Sequence, residues 1–318
     1  AGAYRVGRAI PSARLKSPVY FANALYADKL CSYITENGYD TVVMPHLFPA
    51  EAMTWLLRQH KLDVQTYFIA TDYTCIPFTE ETKVDYYFIP HEELTTEFIK
   101  RGIPAEKLVP TGIPVSERFL KLPEKREARG QLGIPADKKV IMYAPTWRDD
   151  NYYEIGQFKF DLDLDVNRLE KEFGDEYVLL LRLHYLVVEA LDMSKYGKFA
   201  VNGSAYDDVT DLYLITDILI TDYSSVFFDF ANLKRPVLYY TYDLEKYRDV
   251  LHGFYLSVED DLPGPMLLTN DEVVDAIKNI DQIQEKYKER YDQFYDRFCC
   301  IDDGHASERV VNKIFGDK

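Results

Sequence analysis

The sequence predicts an α/β fold with two domains, each built on a parallel β-sheet, that face a cleft. Short segments that are apolar at nearly every position alternate with amphipathic helical segments, which is typical of parallel sheets covered on both faces. The chain has 318 residues and is 47% hydrophobic, which is enough for two cores. Residues 112–137 are rich in glycine, proline and charge, as expected of a connection between domains.

The first domain is predicted to comprise residues 1–115. Helices are expected where apolar residues recur at helical spacing, at residues 22–37, 49–60 and 92–101. Short apolar runs predict strands at residues 40–44, 64–70, 85–89 and 108–111, with a long loop at residues 71–82.

A linker is predicted at residues 116–137 and a second domain at residues 138–300. Strands of this domain are expected at residues 139–143, 177–183, 199–202, 218–221 and 236–241, with a helix at residues 208–216. Residues 271–318 carry aromatic and aliphatic side chains at helical spacing. Their last part, residues 301–318, is expected to pack back on the first domain.

Polar or cationic side chains follow the predicted strands of the second domain, namely Arg148, Arg182, His184, Ser224 and Ser225. Ligands of parallel α/β sheets bind beyond the carboxyl ends of the strands, so these side chains are predicted to share one binding edge. The two serines also stand at a predicted helix start, where backbone N–H groups and the helix dipole favour a phosphate or diphosphate. The alternative interpretation is that Asp222 or Ser224 only caps the helix.

Several motifs of the C-terminal half carry a family resemblance. They include Ala-Pro-Thr-Trp-Arg at residues 144–148, Leu-Arg-Leu-His at 181–184, Thr-Asp-Tyr-Ser-Ser at 221–225 and Asp-Gly-His-Ala-Ser-Glu-Arg at 303–309. Further segments are residues 206–208, 235–236, 242–248, 253–255 and 263–265. On these motifs, which occur in family order, the C-terminal half resembles CDP-glycerol glycerophosphotransferases of the teichoic-acid polymerase and primase type.

This resemblance implies two Rossmann-like domains in a GT-B-like arrangement. It also implies an enzyme that transfers glycerol phosphate from CDP-glycerol, or another CDP-alditol such as CDP-ribitol, to a lipid-linked or polymeric acceptor, releasing CMP. By the same resemblance, Arg148, Arg182, His184, Ser224 and Ser225 would hold the donor diphosphate, with Ser307 near it. Because such a set can neutralise the phosphoryl oxygens, we predict no obligatory metal ion and no cofactor.

The N-terminal half carries a different likeness. Residues 40–49, 70–73, 85–90, 101–104 and 111–115 are similar to the acceptor domain of monogalactosyl- and glucosyl-diacylglycerol synthases. Those enzymes carry a Gly-Gly-Gly-His loop after a first strand. This sequence starts downstream of where that loop would lie, so the first domain is expected to lack that strand. Two alternatives to the glycerophosphotransferase follow: a diacylglycerol glycosyltransferase that uses a UDP-sugar, and a degenerate nucleotide-binding module. Asp-Tyr-Ser-Ser stands where UDP-sugar enzymes usually show a glycine-rich loop, which favours the glycerophosphotransferase.

The candidates for the general base are His46 and Asp72. The family usually carries a Trp-His-Gly-Thr block whose histidine is taken as the base, and this sequence lacks that block. His46 follows an apolar strand, and histidine can accept a proton near neutral pH. Asp72 follows the next strand. The alternatives are a histidine packed between Pro45 and Phe48, and an aspartate that caps a turn.

Composition limits the classes of binding partner and the cellular location that the sequence predicts. A net charge of −16 disfavours nucleic acid as a partner. Four cysteines without metal-ligand spacing indicate a reducing cytoplasm. The chain has no run of about 18 apolar residues. Residues 1–20 carry four basic residues and no acid, interleaved with Tyr4, Tyr20 and the adjoining Phe21, which indicates either peripheral contact with the inner face of an anionic membrane or an ordinary solvated surface.

Overall fold

The computed structural model describes residues 16–117, 126–146, 152–154, 157–158, 162–184, 193–244 and 261–316. The chain divides into two units. The N-terminal unit comprises Ala1–Pro114 and Ile301–Lys318, and the central unit comprises Val115–Cys300. Each unit contains a parallel sheet accompanied by helices, so the predicted α/β class is confirmed.

The sheet of the N-terminal unit has four parallel strands in the order β1-β2-β3-β4. The strands are β1 (Thr41–Met44), β2 (Gln65–Ile69), β3 (Tyr86–Ile89) and β4 (Leu108–Pro110). Each strand lies within a segment that the apolar runs predict as a strand. Phe88 and Ile89 of β3 are fully buried, which fits an interior strand of a covered parallel sheet.

The predicted helix at residues 22–37 is wrong as a single element, because the structure forms two. They are α1 (Pro18–Ala24) and α2 (Ala27–Glu36), separated at Leu25 and Tyr26. Helix α1 begins early because Ser17 caps it by accepting from the Tyr20 amide, and Pro18 occupies the first helical position. The helices α3 (Leu47–Arg58) and α4 (Thr95–Lys100) lie within a few residues of their predicted positions.

The main sheet of the central unit has six parallel strands in the order β12-β11-β10-β5-β8-β9. The strands are β5 (Lys139–Tyr143), β8 (Tyr177–Leu181), β9 (Ala200–Asn202), β10 (Ile218–Thr221), β11 (Val237–Tyr240) and β12 (Met266–Leu267). A separate antiparallel pair joins β6 (Tyr152–Glu154) and β7 (Gln157–Phe158). All residues of β8, β10 and β11 are buried, as their apolar composition predicts.

The helices of the central unit are α5 (Arg126–Leu132), α6 (Val166–Phe173), α7 (Val209–Ile215), α8 (Val226–Ala231), α9 (Asn270–Lys278) and α10 (Ile280–Phe294). Helix α5 forms inside the segment predicted as a linker. Arg129 stabilises it, because its Nη1 donates to the carbonyl oxygens of Pro135 at 3.1 Å and Lys138 at 2.8 Å.

The C-terminal helical region is interrupted rather than continuous. A π-helical segment, Tyr295–Cys299, follows α10, and a turn then leads to α11 (Ala306–Phe315) in the N-terminal unit. The turn contains Gly304, whose φ of 77° favours glycine. Among the described residues, every helix is too short or too polar to cross a bilayer.

Candidate functional site

The turn after β10 is organised by the buried carboxylate of Asp222, which is 3% exposed. Its Oδ1 accepts hydrogen bonds from the amides of Tyr223 at 2.6 Å and Ser224 at 3.2 Å. Ser225 is the N-cap residue of the short helix α8, and its side chain makes no capping hydrogen bond. The Ser225 side chain is exposed. Asp222 therefore shapes the turn, and helix capping does not account for the Ser225 hydroxyl.

The same carboxylate connects this turn to the loop after β5. Asp222 Oδ1 accepts from both the amide and the hydroxyl of Thr146, each at 2.8 Å. The preceding residue, Thr221, donates its hydroxyl to the Ala144 carbonyl at 2.7 Å. Asp222 thus holds the start of the segment that leads to Arg148. Arg148 itself lies outside the described residues, so its role stays a prediction.

Arg182 follows β8 and binds the backbone of a neighbouring loop. Its Nη1 donates to the carbonyl oxygens of Gly203 at 2.9 Å, Ser204 at 2.8 Å and Tyr206 at 2.8 Å. These bonds fix the connection between β9 and α7. The contacts make Arg182 a residue that shapes this edge of the sheet. Direct contact of its other guanidinium nitrogens with a diphosphate stays a prediction.

The sheet register brings these residues to one edge. Strand β5 lies between β8 and β10, and Tyr143 pairs with Leu181 on one side and with Ile220 on the other. The residues that follow β8 and β10 are therefore at the same level and about two strand spacings apart, roughly 10 Å. Arg182 and the turn after β10 that carries Ser224 and Ser225, called the serine turn, thus share the carboxyl edge of the central sheet. Ligands of such sheets bind at this edge.

Two other residues that are predicted to hold the diphosphate, His184 and Ser307, have exposed side chains. His184 lies two residues beyond Arg182, on the same connection after β8. Ser307 lies in the first turn of α11, which belongs to the N-terminal unit, whereas the other donor candidates belong to the central unit. Roles for His184 and Ser307 in holding a diphosphate stay predictions.

A cavity of about 240 Å³ lies at the carboxyl ends of β1 and β2 in the N-terminal unit. It brings together both candidates for the general base, His46 and Asp72. The remaining lining residues are apolar or hydroxyl-bearing, namely Pro45, Leu47, Phe68, Ala70, Thr71, Thr74, Ile76, Thr79 and Phe98. The cavity is large enough for a small polyol or its phosphate, and its chemistry combines two titratable groups with three hydroxyls.

His46 caps helix α3, and this contact determines its tautomer. Its Nδ1 accepts from the Phe48 amide at 3.2 Å, and its ring packs edge-on against the Phe48 ring at 4.6 Å. An amide N–H can only donate, so Nδ1 carries the lone pair and the neutral imidazole carries its proton on Nε2. The exposed His46 can therefore donate a hydrogen bond through Nε2, but it must break the cap to accept a proton.

Asp72 is better placed to accept a proton. Its side chain is exposed at the cavity, yet the surrounding protein desolvates the carboxyl and raises its pKa, while the nearby His46 imidazole opposes the shift. A carboxylate has free lone pairs, and a raised pKa brings it nearer to the value that suits general-base catalysis. The geometry thus favours Asp72 over His46 as the proton acceptor.

From the sequence, Asp222 is expected only as a cap, and neither Tyr73 nor Asp302 is a candidate. The signal for Asp222 was present, because an acidic residue directly after a buried strand has few polar partners except neighbouring loops. Tyr73 and Asp302 have no such signal. They are separated by most of the chain, and their hydroxyl and carboxylate meet at 2.5 Å only in the folded N-terminal unit.

Comparison with known proteins shows the family. A family model described as CDP-Glycerol:Poly(glycerophosphate) glycerophosphotransferase matches residues 49–316. Teichoic acid poly(glycerol phosphate) polymerase of Bacillus subtilis (strain 168) is 46% identical over 243 residues, which cover 75% of this chain and 32% of that protein. Teichoic acid glycerol-phosphate transferase of Staphylococcus aureus (strain NCTC 8325 / PS 47) is 43% identical over 244 residues, which cover 74% and 61%. The chain spans less than two thirds of the length of either relative.

Solved structures agree with this match. A variant of the wall teichoic acid polymerase TagF, soaked with CDPG, is similar with a TM-score of 0.71 and 36% sequence identity, covering 87% of this chain and 73% of that chain. The family model spans the whole central unit and part of the N-terminal unit, so the resemblance inferred from the C-terminal motifs is confirmed. The chain therefore belongs to the CDP-Glycerol:Poly(glycerophosphate) glycerophosphotransferase family.

Proposed function

We propose that this protein transfers glycerol phosphate from CDP-glycerol to a hydroxyl of a lipid-linked or polymeric acceptor, with release of CMP, in the synthesis of a teichoic-acid-like polymer. The observation that carries the proposal is the serine turn anchored by Asp222, which shares one sheet edge with Arg182 in a chain of this family. The relatives named as glycerol-phosphate polymerase and transferase, and the TagF structure soaked with CDPG, support the choice of donor.

In this proposal the central unit binds the donor and the N-terminal unit supplies the proton acceptor. The acceptor hydroxyl attacks the glycerol phosphoryl group, its proton passes to the Asp72 carboxylate, and the bond to CMP breaks. Phosphoryl transfer needs mainly positioning and charge neutralisation, which hydroxyls, backbone amides and cationic side chains can provide. His46 donates from Nε2 and helps to orient the incoming group.

Because these protein groups can neutralise the phosphoryl charge without a metal ion, addition of EDTA is expected to leave the rate of transfer unchanged.

The likeness of the N-terminal half to diacylglycerol glycosyltransferases stays a prediction, and it supports a lipid-linked acceptor. Peripheral contact with the inner face of a cytoplasmic membrane is part of the same proposal. Supporting it, Leu25 is 88% exposed and Phe21 is 53% exposed on or beside α1, and Lys16 lies at the start of this region. Most of the basic N-terminal segment lies outside the described residues. Flotation with anionic vesicles tests the contact, since Leu25→Ser with Phe21→Ser is expected to lower the bound fraction.

The donor is tested by incubating the purified protein separately with CDP-glycerol, CDP-ribitol and UDP-glucose, each with a lipid acceptor mixture. Release of CMP from CDP-glycerol supports the proposal. Release of CMP only from CDP-ribitol would keep the reaction type and correct the alditol. Release of UDP from UDP-glucose, without CMP from either other donor, would replace the proposal with the glycosyltransferase alternative.

A further inference from the structure

Asp302 joins two loops of the N-terminal unit through one buried carboxylate, which is 4% exposed. Its Oδ2 accepts from the Tyr73 hydroxyl at 2.5 Å, and its Oδ1 accepts from the Ile113 amide at 2.7 Å. Tyr73 belongs to the loop after β2, and Ile113 belongs to the connection after β4. A buried carboxylate is stable only when its oxygens are hydrogen-bonded, and such charge-assisted bonds are stronger than neutral ones.

Tyr73 directly follows Asp72, the candidate proton acceptor. The Tyr73 side chain is only 9% exposed and points into the unit, whereas the Asp72 side chain is exposed at the cavity. Anchoring the Tyr73 hydroxyl therefore limits rotation of the backbone that carries Asp72. A second anchor lies just beyond it, since Glu97 Oε1 accepts from the Thr74 hydroxyl at 2.8 Å and the Cys75 amide at 3.0 Å.

Asp302 is itself held firmly in place by its neighbours. Arg309 donates from Nε to the Thr111 carbonyl at 2.9 Å, from Nη1 to both carboxylate oxygens of Asp303 at 2.9 Å, and from Nη2 to the Ile301 carbonyl. Gly112 allows the two segments to approach closely, because a Cβ at this position would lie 2.5 Å from the Ile301 carbonyl oxygen. The segment around Asp302 is thus locked to the end of β4.

We propose that Asp302, acting through Tyr73, is a positioning residue that holds the Asp72 carboxylate in its catalytic orientation. The inference rests on the proposed function, in which Asp72 accepts the proton of the acceptor hydroxyl. A displacement of about 1 Å between a base and its proton can cost on the order of 100-fold in rate, so a loosened turn is sufficient to slow the reaction. Donor binding belongs to the central unit and is expected to be unaffected.

Tyr73→Phe tests the proposal because it removes one oxygen and keeps the ring in the core. The expected result is a roughly tenfold fall in kcat with an unchanged KM for CDP-glycerol. The acid limb of the kcat profile is expected to move to lower pH, since a mobile Asp72 is better solvated and desolvation is what raises its pKa. Tyr39→Phe, at an exposed tyrosine of the same unit, is the matched control and should leave both quantities unchanged.

Asp302→Asn provides a second variant. An amide retains one acceptor oxygen and replaces the other by an NH2 donor, so it cannot accept from both Tyr73 and Ile113. We expect its effect on kcat to be smaller when Tyr73 is already phenylalanine, because Tyr73→Phe has then already removed the hydrogen bond between the two side chains. If the two substitutions lowered kcat by independent factors that multiply in the double variant, the inference would be overturned.

Amide hydrogen exchange separates this inference from the proposed function. If the wild-type protein transfers no alditol phosphate, the proposed function fails. Exchange at residues 71–75 then still shows whether the Tyr73 hydroxyl holds the backbone around Asp72. Faster exchange there in Tyr73→Phe, by about tenfold, supports the anchor, with β3 as the internal reference. Unchanged exchange would overturn it, as would normal kcat and an unshifted pH profile in an active Tyr73→Phe enzyme.

Discussion

The carboxyl edges of the two sheets differ in what their charged and titratable side chains contact. In the central unit, the charged groups are bound to the backbone: Asp222 accepts from three amides and Arg182 donates to three carbonyls. In the N-terminal unit, two titratable side chains, His46 and Asp72, line a cavity of about 240 Å³. The first arrangement holds loops in a fixed shape, and the second offers groups that can exchange protons.

Under the proposed function, this difference corresponds to donor binding in the central unit and proton transfer in the N-terminal unit. Substitutions at the central edge are expected to disturb loop geometry and donor binding. Substitutions at the N-terminal cavity are expected to disturb the chemical step and its pH dependence.

The largest effect is expected for Asp72→Asn. This change keeps the size of the side chain and removes its ability to accept a proton, so kcat should fall by about 10²-fold to 10⁴-fold. The KM for CDP-glycerol should stay within about twofold, because the donor edge is unchanged. Steady-state kinetics measures both. Asp63→Asn, at an exposed aspartate of the same unit, is the control. Activity of Asp72→Asn near the wild-type level would remove Asp72 as the base.

The second prediction concerns Glu51, a fully buried carboxyl on α3. Its Oε2 accepts from the Asn23 amide, whereas its Oε1 has no partner among the described residues. Burial raises its pKa from 4.5 to about 7, while the Asn23 hydrogen bond opposes the shift. A carboxyl whose folded pKa is raised destabilises the fold as pH rises between these two values.

Glu51→Gln should therefore become more stable relative to the wild-type protein as the pH rises from about 4.5 to 7. The relative gain in unfolding free energy should reach about 3–4 kcal/mol above that range, following roughly 1.4 kcal/mol per pKa unit. Denaturant unfolding at pH 5 and pH 8 measures the difference. Glu36→Gln, at an exposed glutamate, should show no such dependence. An equal effect of Glu51→Gln at both pH values would show that Glu51 is not desolvated.

Arg182→Ala is expected to lower turnover at least tenfold, about 1.4 kcal/mol of transition-state stabilisation. The three carbonyl oxygens that it leaves without their donor should also lower the unfolding free energy by about 1–3 kcal/mol. Kinetics together with thermal unfolding separates the two effects. Arg168→Ala removes an exposed ion pair with Asp271 in the same unit and is the control. Unchanged stability with lost activity would instead favour direct contact between Arg182 and the diphosphate.

The smallest effect is expected for Ser225→Ala. Because the Ser225 side chain makes no capping bond, its removal should change stability by less than about 0.5 kcal/mol, whereas a true cap is worth about 1 kcal/mol. If the hydroxyl contacts the donor, the KM for CDP-glycerol should rise about threefold to tenfold. Ser194→Ala, elsewhere in the central unit, is the control. An unchanged KM would leave Ser225 without a role in donor binding.

The four strands of the N-terminal sheet and five of the six strands of the central sheet could be predicted closely, because their apolar runs are short and bounded by turn residues. The shorter strands β6, β7 and β12 were not predicted. The helices were less predictable. The local composition of residues 22–37 does not predict the break at Leu25. The chain turns there, and Asn23 before the turn and Ala27 after it are both buried, which depends on tertiary packing. Helix α5 was missed because glycine and proline surround it, and its stability depends on the contacts of Arg129 with the following loop.

By itself the sequence determined the α/β class, the family and the identity of the polar residues at the strand ends, because these depend on local periodicity and short motifs. Only the tertiary structure decided how those residues are used. It gave Arg182 three backbone acceptors, placed His46 and Asp72 on one cavity, and joined Tyr73 to Asp302. The physical reason is that a hydrogen-bond partner or a desolvated carboxyl depends on which distant segments the fold packs together, and local sequence carries little information about that packing.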